Sequence, residues 1–103
     1  MLRGTTPFVT LTLPADTVLD TVDVMYMSFG QGGKDLFDVD IDHLTIDTDE
    51  NTVMAALSQA QTLLLDATQK TQIQLRWRNM DGSAYGTYIV KVSTEAIIKD
   101  GVI

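Results

Sequence analysis

The chain has 103 residues, 45% of them apolar, with 14 acidic against 7 basic side chains, one histidine and no cysteine. That length suits one domain, and the apolar share supports a packed core rather than disorder. A formal charge of −7, with cations scattered over Arg3, Lys34, Lys70, Arg76, Arg78, Lys91 and Lys99, argues against nucleic acid or an anionic membrane as partner, and the missing cysteines remove disulfides, thiol catalysis and cysteine-ligated metals.

The opening segment Met1–Pro7 lacks the apolar stretch of a secretory signal. No apolar run approaches the roughly 20 residues of a membrane helix. Phe8 to Leu13 then alternates and is rich in β-branched residues, so it reads as a strand with Val9, Leu11 and Leu13 facing inward. Pro14-Ala15-Asp16 ends it, because proline cannot donate to a ladder.

Leu19 to Phe29 is the next strand. Val22, Val24 and Tyr26 lie on one face; Asp23, Met25, Met27 and Phe29 lie on the other. If the first set fills the core, Met25, Met27 and Phe29 form an exposed apolar stripe of the kind that marks a partner surface. A central strand covered on both faces is an equal alternative. Gly30 to Lys34 is a glycine-rich hairpin turn, and Lys34–Val39 and Ile41–Asp47 are two further short strands.

Asp49-Glu50-Asn51 makes another turn, and Asn51 to Leu57 a strand with Val53, Ala55 and Leu57 inside. Ser58 to Ala67 loses the two-residue period. It reads as one or two helical turns with Ser58 as N-cap over Gln61. Gln72 to Arg78 alternates strictly, with Ile73, Leu75 and Trp77 inward. It turns at Met80-Asp81-Gly82-Ser83 and returns through Tyr85 to Val92. Ser93 to Ile98 extends that return or makes a separate edge. The expected core also takes Val24, Leu64, Tyr88 and Val90, and both chain ends look free.

Seven to eight short strands at spacings of roughly 8–12 residues predict an all-β, immunoglobulin-like sandwich. One short helix lies between late strands, and the whole is a single domain over residues 1–103.

Candidate chemistry is thin. Asp38, Asp40 and Asp42 alternate and could collect a hard cation. However, His43 stands where a calcium loop needs glycine, and Asp49 where it needs a bidentate glutamate. A solvated strand face explains them better. A Ser58–His43–Asp47 set can be assembled on paper, with no supporting motif. Gly30-Gln31-Gly32-Gly33 lacks the following helix that a phosphate loop requires. Trp77 reads as core, with its indole N–H seeking a carbonyl partner. No cofactor is expected.

Several segments resemble a known group. Arg3-Gly4-Thr5-Thr6-Pro7 followed by a Thr-Leu-Thr-Leu strand, Leu57-Ser58-Gln59-Ala60-Gln61-Thr62-Leu63, Ile73-Gln74-Leu75-Arg76, the Asp81-Gly82 turn and the ending Asp100 to Ile103 keep the order found in short prophage-encoded proteins of gut-type Gram-positive bacteria. The pattern is also similar to the N-terminal immunoglobulin-like domain of siphophage baseplate upper proteins. Ser58 replaces the usual threonine and Ala60-Gln61 an acidic pair, so the short helix loses charge.

The resemblance implies a non-enzymatic structural or accessory protein associated with a phage tail or baseplate. Its expected partners are other phage structural proteins or further copies of itself, and its expected location is the virion or the host bacterial cytoplasm. The family carries no catalytic residues to transfer. The candidate partner surface comprises Met25, Met27 and Phe29 together with the Arg3, Thr5 and Pro7 arm. The alternative function is a stand-alone module for a carbohydrate or surface ligand, stacking it on Tyr85 or Phe37. A small hydrolase using the carboxylates or His43 comes last, and it predicts a pocket with convergent polar groups.

Overall fold

A computed structural model describes all of residues 1–103. Its strands are β1 (Phe8–Thr12), β2 (Val22–Gln31), β3 (Lys34–Asp40), β4 (Leu44–Asp47), β5 (Thr52–Ala56), β6 (Thr71–Asn79), β7 (Ala84–Gly86) and β8 (Val90–Val92). A 3-10 turn at Ile41–His43 precedes β4, and helix α1 (Gln59–Thr62) lies between β5 and β6. One sheet has the order β1-β5-β4; the other runs β3-β2-β6-β7, with β8 also paired to β6. Every strand pairing is antiparallel.

That order is immunoglobulin-like. Immunoglobulin sandwiches place strands A-B-E-D on one sheet and C-F-G on the other, with C′ added beside C in variable types. Here β1-β5-β4 takes the places of B-E-D, and β3-β2-β6-β7 those of C′-C-F-G. No strand takes the place of A, so β1 is an edge.

Local chemistry sets the joints. Gly32 and Gly33 carry φ values of +60° and +77°, which lets Gln31 and Lys34 close a two-residue hairpin turn. A bulge follows Phe29, where an added Cβ on Gly30 would lie 2.4 Å from the Lys34 carbonyl oxygen. Ser58 caps α1 as expected: its Oγ accepts from Gln61 N at 3.1 Å, and Ser58 N donates to Gln61 Oε1 at 2.9 Å. Buried Gln31 clasps the loop before β6, donating to the Asp66 carbonyl at 2.8 Å and accepting from Asp66 N at 2.7 Å.

The core lies between the sheets. Leu13 and Leu19, then Met25, Met27 and Phe29 of β2, Val39, Val53 and Ala55, and Ile73, Leu75 and Trp77 of β6 form one buried cluster. Apolar burial of this kind contributes roughly 25 cal/mol per Å² removed from water.

Strand β2 faces the opposite way from the sequence expectation. Met25, Met27 and Phe29 are 0% exposed, whereas Tyr26 is 47% exposed and Val22 and Val24 are only half-buried. The register explains it. Met25 lies opposite Trp77, Met27 opposite Leu75 and Phe29 opposite Ile73. Directly paired residues share a face, so the inward set of β6 draws the methionines and Phe29 inward. Phe37, on β3, stacks on Phe29 with ring centroids 4.8 Å apart.

The return from β6 is also interrupted. Leu75 N donates to the Thr87 hydroxyl at 3.1 Å, and Thr87 N donates to the Leu75 carbonyl at 2.9 Å. The Thr87 side chain takes the place of a main-chain acceptor, and the ladder resumes only at Val90. Tyr88 is consequently 95% exposed and Val90 43% exposed, outside the core expected for them; Leu64 is likewise exposed. Residues 93–98 form no strand, only a parallel bridge between Leu2 and Glu95.

The ends are held rather than free. The Met1 amino group contacts the Ser93 carbonyl and lies 2.5 Å from a Glu95 carboxylate oxygen. The Gln59 amide exchanges bonds with Ile103 N and O at 2.8 and 3.2 Å.

Candidate functional site

The open A position leaves a groove between β1 and the β7–β8 edge. Its volume is about 560 Å³. Leu11 and Leu13 line one wall, Trp77 and Asn79 the floor, and Tyr85, Tyr88 and Val90 the other wall, with Pro14, Thr17 and Val18 at one end. Tyr85 stacks on Trp77 at 5.8 Å between centroids. Asn51, held at φ +53°, fixes that end by donating to the Pro14 and Ala15 carbonyls at 3.1 and 3.0 Å.

Two polar atoms of the floor are left without partners. Trp77 is 8% exposed and Asn79 7% exposed, yet Trp77 Nε1 and Asn79 Oδ1 make no hydrogen bond. The carbonyl expected for the indole N–H is therefore missing. An unpaired buried donor or acceptor costs about 1–3 kcal/mol; the other such atom in the chain, Arg3 Nε, lies away from the groove.

The main chain of β1 adds a second set of free groups. Leu57 N donates to the Pro7 carbonyl and Leu13 N to the Asn51 carbonyl. Alternation in an antiparallel ladder then directs the odd residues of β1 toward β5. The N–H and C=O groups of Phe8, Thr10 and Thr12 point away, at the sheet edge.

The outer face of the larger sheet carries a shallower cleft of about 430 Å³ around Tyr26, Ser28, Asp35, Asp38, Arg76 and Arg78. Arg78 pairs with Asp23 at 2.8 Å. Partial burial, followed by hydrogen bonding and repulsion from Asp38, raises Asp35 above the usual carboxylate range.

The remaining candidates disperse. Met25, Met27 and Phe29 are core and present no surface. Arg3, Thr5 and Pro7 are half-buried and docked: Arg3 Nη2 donates to the Leu63 carbonyl at 3.0 Å, the Thr62 hydroxyl donates to the Thr5 carbonyl at 2.9 Å, and the Pro7 carbonyl belongs to the β1–β5 ladder. Asp42 leaves the strand on the 3-10 turn, separating it from Asp38. No cluster of three or more histidine or acidic side chains converges.

His43 Nδ1 sits 2.8 Å from Asp40 Oδ1. That hydrogen bond raises the histidine above its ordinary value and lowers Asp40 below its own. Asp47 accepts from Asp49 N and Glu50 N, and Ser58 caps α1, so His43, Asp47 and Ser58 each serve local structure.

Sequence reading did not find the groove. The available signal was the absence of a strand pattern over Met1–Pro7, together with Tyr85 and Tyr88 close in sequence to a core tryptophan. No protein-family model matches the chain, and no curated protein matches it.

Proposed function

We propose that the chain is a non-enzymatic structural or accessory protein of a tailed phage or prophage, associated with tail or baseplate and acting through protein–protein contacts. The observation that carries this reading is the open A position: an unpaired edge strand beside an apolar groove is a surface that a neighbouring subunit can complete. The ordered segments from Arg3-Gly4-Thr5-Thr6-Pro7 to Asp100–Ile103 support the phage context. The test is quantitative mass spectrometry of tailed particles purified from a strain that encodes the chain, with antiserum labelling of the same particles. The chain should be present in fixed ratio to tail subunits. Homogeneous particles that contain none of it would refute the assignment.

A second reading is favoured by one feature. Half-exposed Tyr26 lies in the outer cleft with Asp35, Asp38 and Arg76, an aromatic surface beside polar groups that suits a sugar ring. Phe37 is stacked on Phe29, and Tyr85 lies with one face on Trp77 beside the other groove, so the stacking residue of the outer cleft is Tyr26. Glycan-array binding that disappears in Tyr26→Ala supports a carbohydrate module; an array with no binding removes it.

A further inference from the structure

We infer that the groove between β1 and the β7–β8 edge is a strand-docking site, completed by an extended segment of a different protein with alternating apolar residues and basic flanks. This deepens the contact-module reading above and rests on it.

Three observations converge on an extended main chain as occupant. First, Phe8, Thr10 and Thr12 present donors and acceptors with no protein partner along a strand edge, and another extended backbone pairs with the whole row at once. Second, Trp77 Nε1 and Asn79 Oδ1 are one donor and one acceptor, both unpartnered and more than nine-tenths buried beneath the same groove. An extended main chain carries both the acceptor and the donor that would match them, on different peptide units. Third, the groove walls are apolar where side chains of an added strand would point inward: Leu11, Leu13, Tyr85 and Val90. β1 has five residues, so a segment of about five to seven residues, roughly 17–24 Å long, matches the edge.

Charge selects the partner. The only charged side chain lining the groove is Asp16, and Asn51 ties its loop to the turn that carries Asp49 and Glu50. A second copy, at −7 like the first, meets this end with like charge; a segment flanked by lysine or arginine meets it with opposite charge.

The probe is a capped synthetic peptide alternating valine and threonine with lysine at both ends. An otherwise identical peptide with glutamate at both ends is its control. Amide and indole NMR shifts of the full chain read the site. The lysine peptide should shift the Trp77 indole N–H and the Phe8, Thr10 and Thr12 amides, protect those amides from exchange, and bind at least about tenfold more tightly than the glutamate peptide.

Thr10→Pro removes an edge-facing N–H without touching the β1–β5 bonds, and should abolish the shifts. Val90→Lys, at an exposed position, provides a folded second variant and should weaken binding at least about tenfold. Absence of these shifts at millimolar lysine peptide, or binding undiminished in both variants, overturns the inference. So does a chain that self-associates through β1 without peptide, which would make the occupant a second copy. A chain present in particles but silent to the peptide fails this inference alone. A chain that binds the peptide but is missing from particles fails the phage assignment alone.

Discussion

Replacing Met27 with alanine tests which face of β2 is buried. Met27 is fully enclosed, opposite Leu75 on one side and Val39 on the other. The substitution removes three side-chain heavy atoms; at about 0.8 kcal/mol for each buried group, the transfer loss is about 2.4 kcal/mol. Neighbours held at both flanks in paired strands relax only partly. The residual cavity then brings the total to roughly 3 kcal/mol or more, inside the 2–5 kcal/mol span known for such truncations. With a urea slope of about 1–3 kcal/mol per molar, the midpoint should fall by at least about 1 M. The melting temperature should fall by roughly 12–24 °C. The single tryptophan, Trp77, reports the transition from within the core. Tyr26→Ala, one residue away on the outer face, should cost less than about 1 kcal/mol. If Tyr26→Ala proves as damaging as Met27→Ala, the face assignment and the register behind it are wrong.

Gln31→Leu strips the clasp from Asp66 and should cost about 1–3 kcal/mol in urea unfolding, with faster amide exchange over residues 66–69; unchanged exchange there would contradict the clasp. Gly30→Ala drives a Cβ against the Lys34 carbonyl and should destabilise by roughly 1–3 kcal/mol; an unaltered melting temperature would show that the bulge adapts freely. The His43–Asp40 contact sets a pH window. Its histidine contribution is complete below the ordinary histidine value and is lost as pH rises through the raised folded value, while its carboxylate contribution is complete above the ordinary carboxylate value and is lost as pH falls through the lowered one. An NMR titration should therefore show His43 above 6.5 in the wild type and moving back toward it in Asp40→Asn; no movement would refute the pairing.

Strand β6 shows how far local pattern reaches. Polar residues separate Ile73, Leu75 and Trp77, so only one face can enter a dry interior, and the sequence settles the orientation by itself. The capping box at Ser58 and Gln61 was equally legible, because its hydrogen bonds span three residues. The turns at Gly32-Gly33 and Asp81-Gly82 follow from backbone freedom that those glycines alone provide. Together these made an immunoglobulin-like sandwich readable from the chain.

Strand β2 marks where that reading stops. Both of its faces are apolar, so period two sorts Met25, Met27 and Phe29 from Val24 and Tyr26 without saying which set is covered. Pairing with β6, some fifty residues away in sequence, made that choice. The groove has the same origin. Its walls come from β1, the loop after it, β6 and the broken β7–β8 return, and the break depends on the Thr87 hydroxyl replacing a main-chain acceptor of Leu75. Local sequence determined most of the strands and their turns, since those preferences act over a few residues, but not the break at Thr87 or the loss of a strand over residues 93–98. Only the packed sheets decided which faces are dry and which edge stays open, because both depend on the residues that distant strands bring alongside.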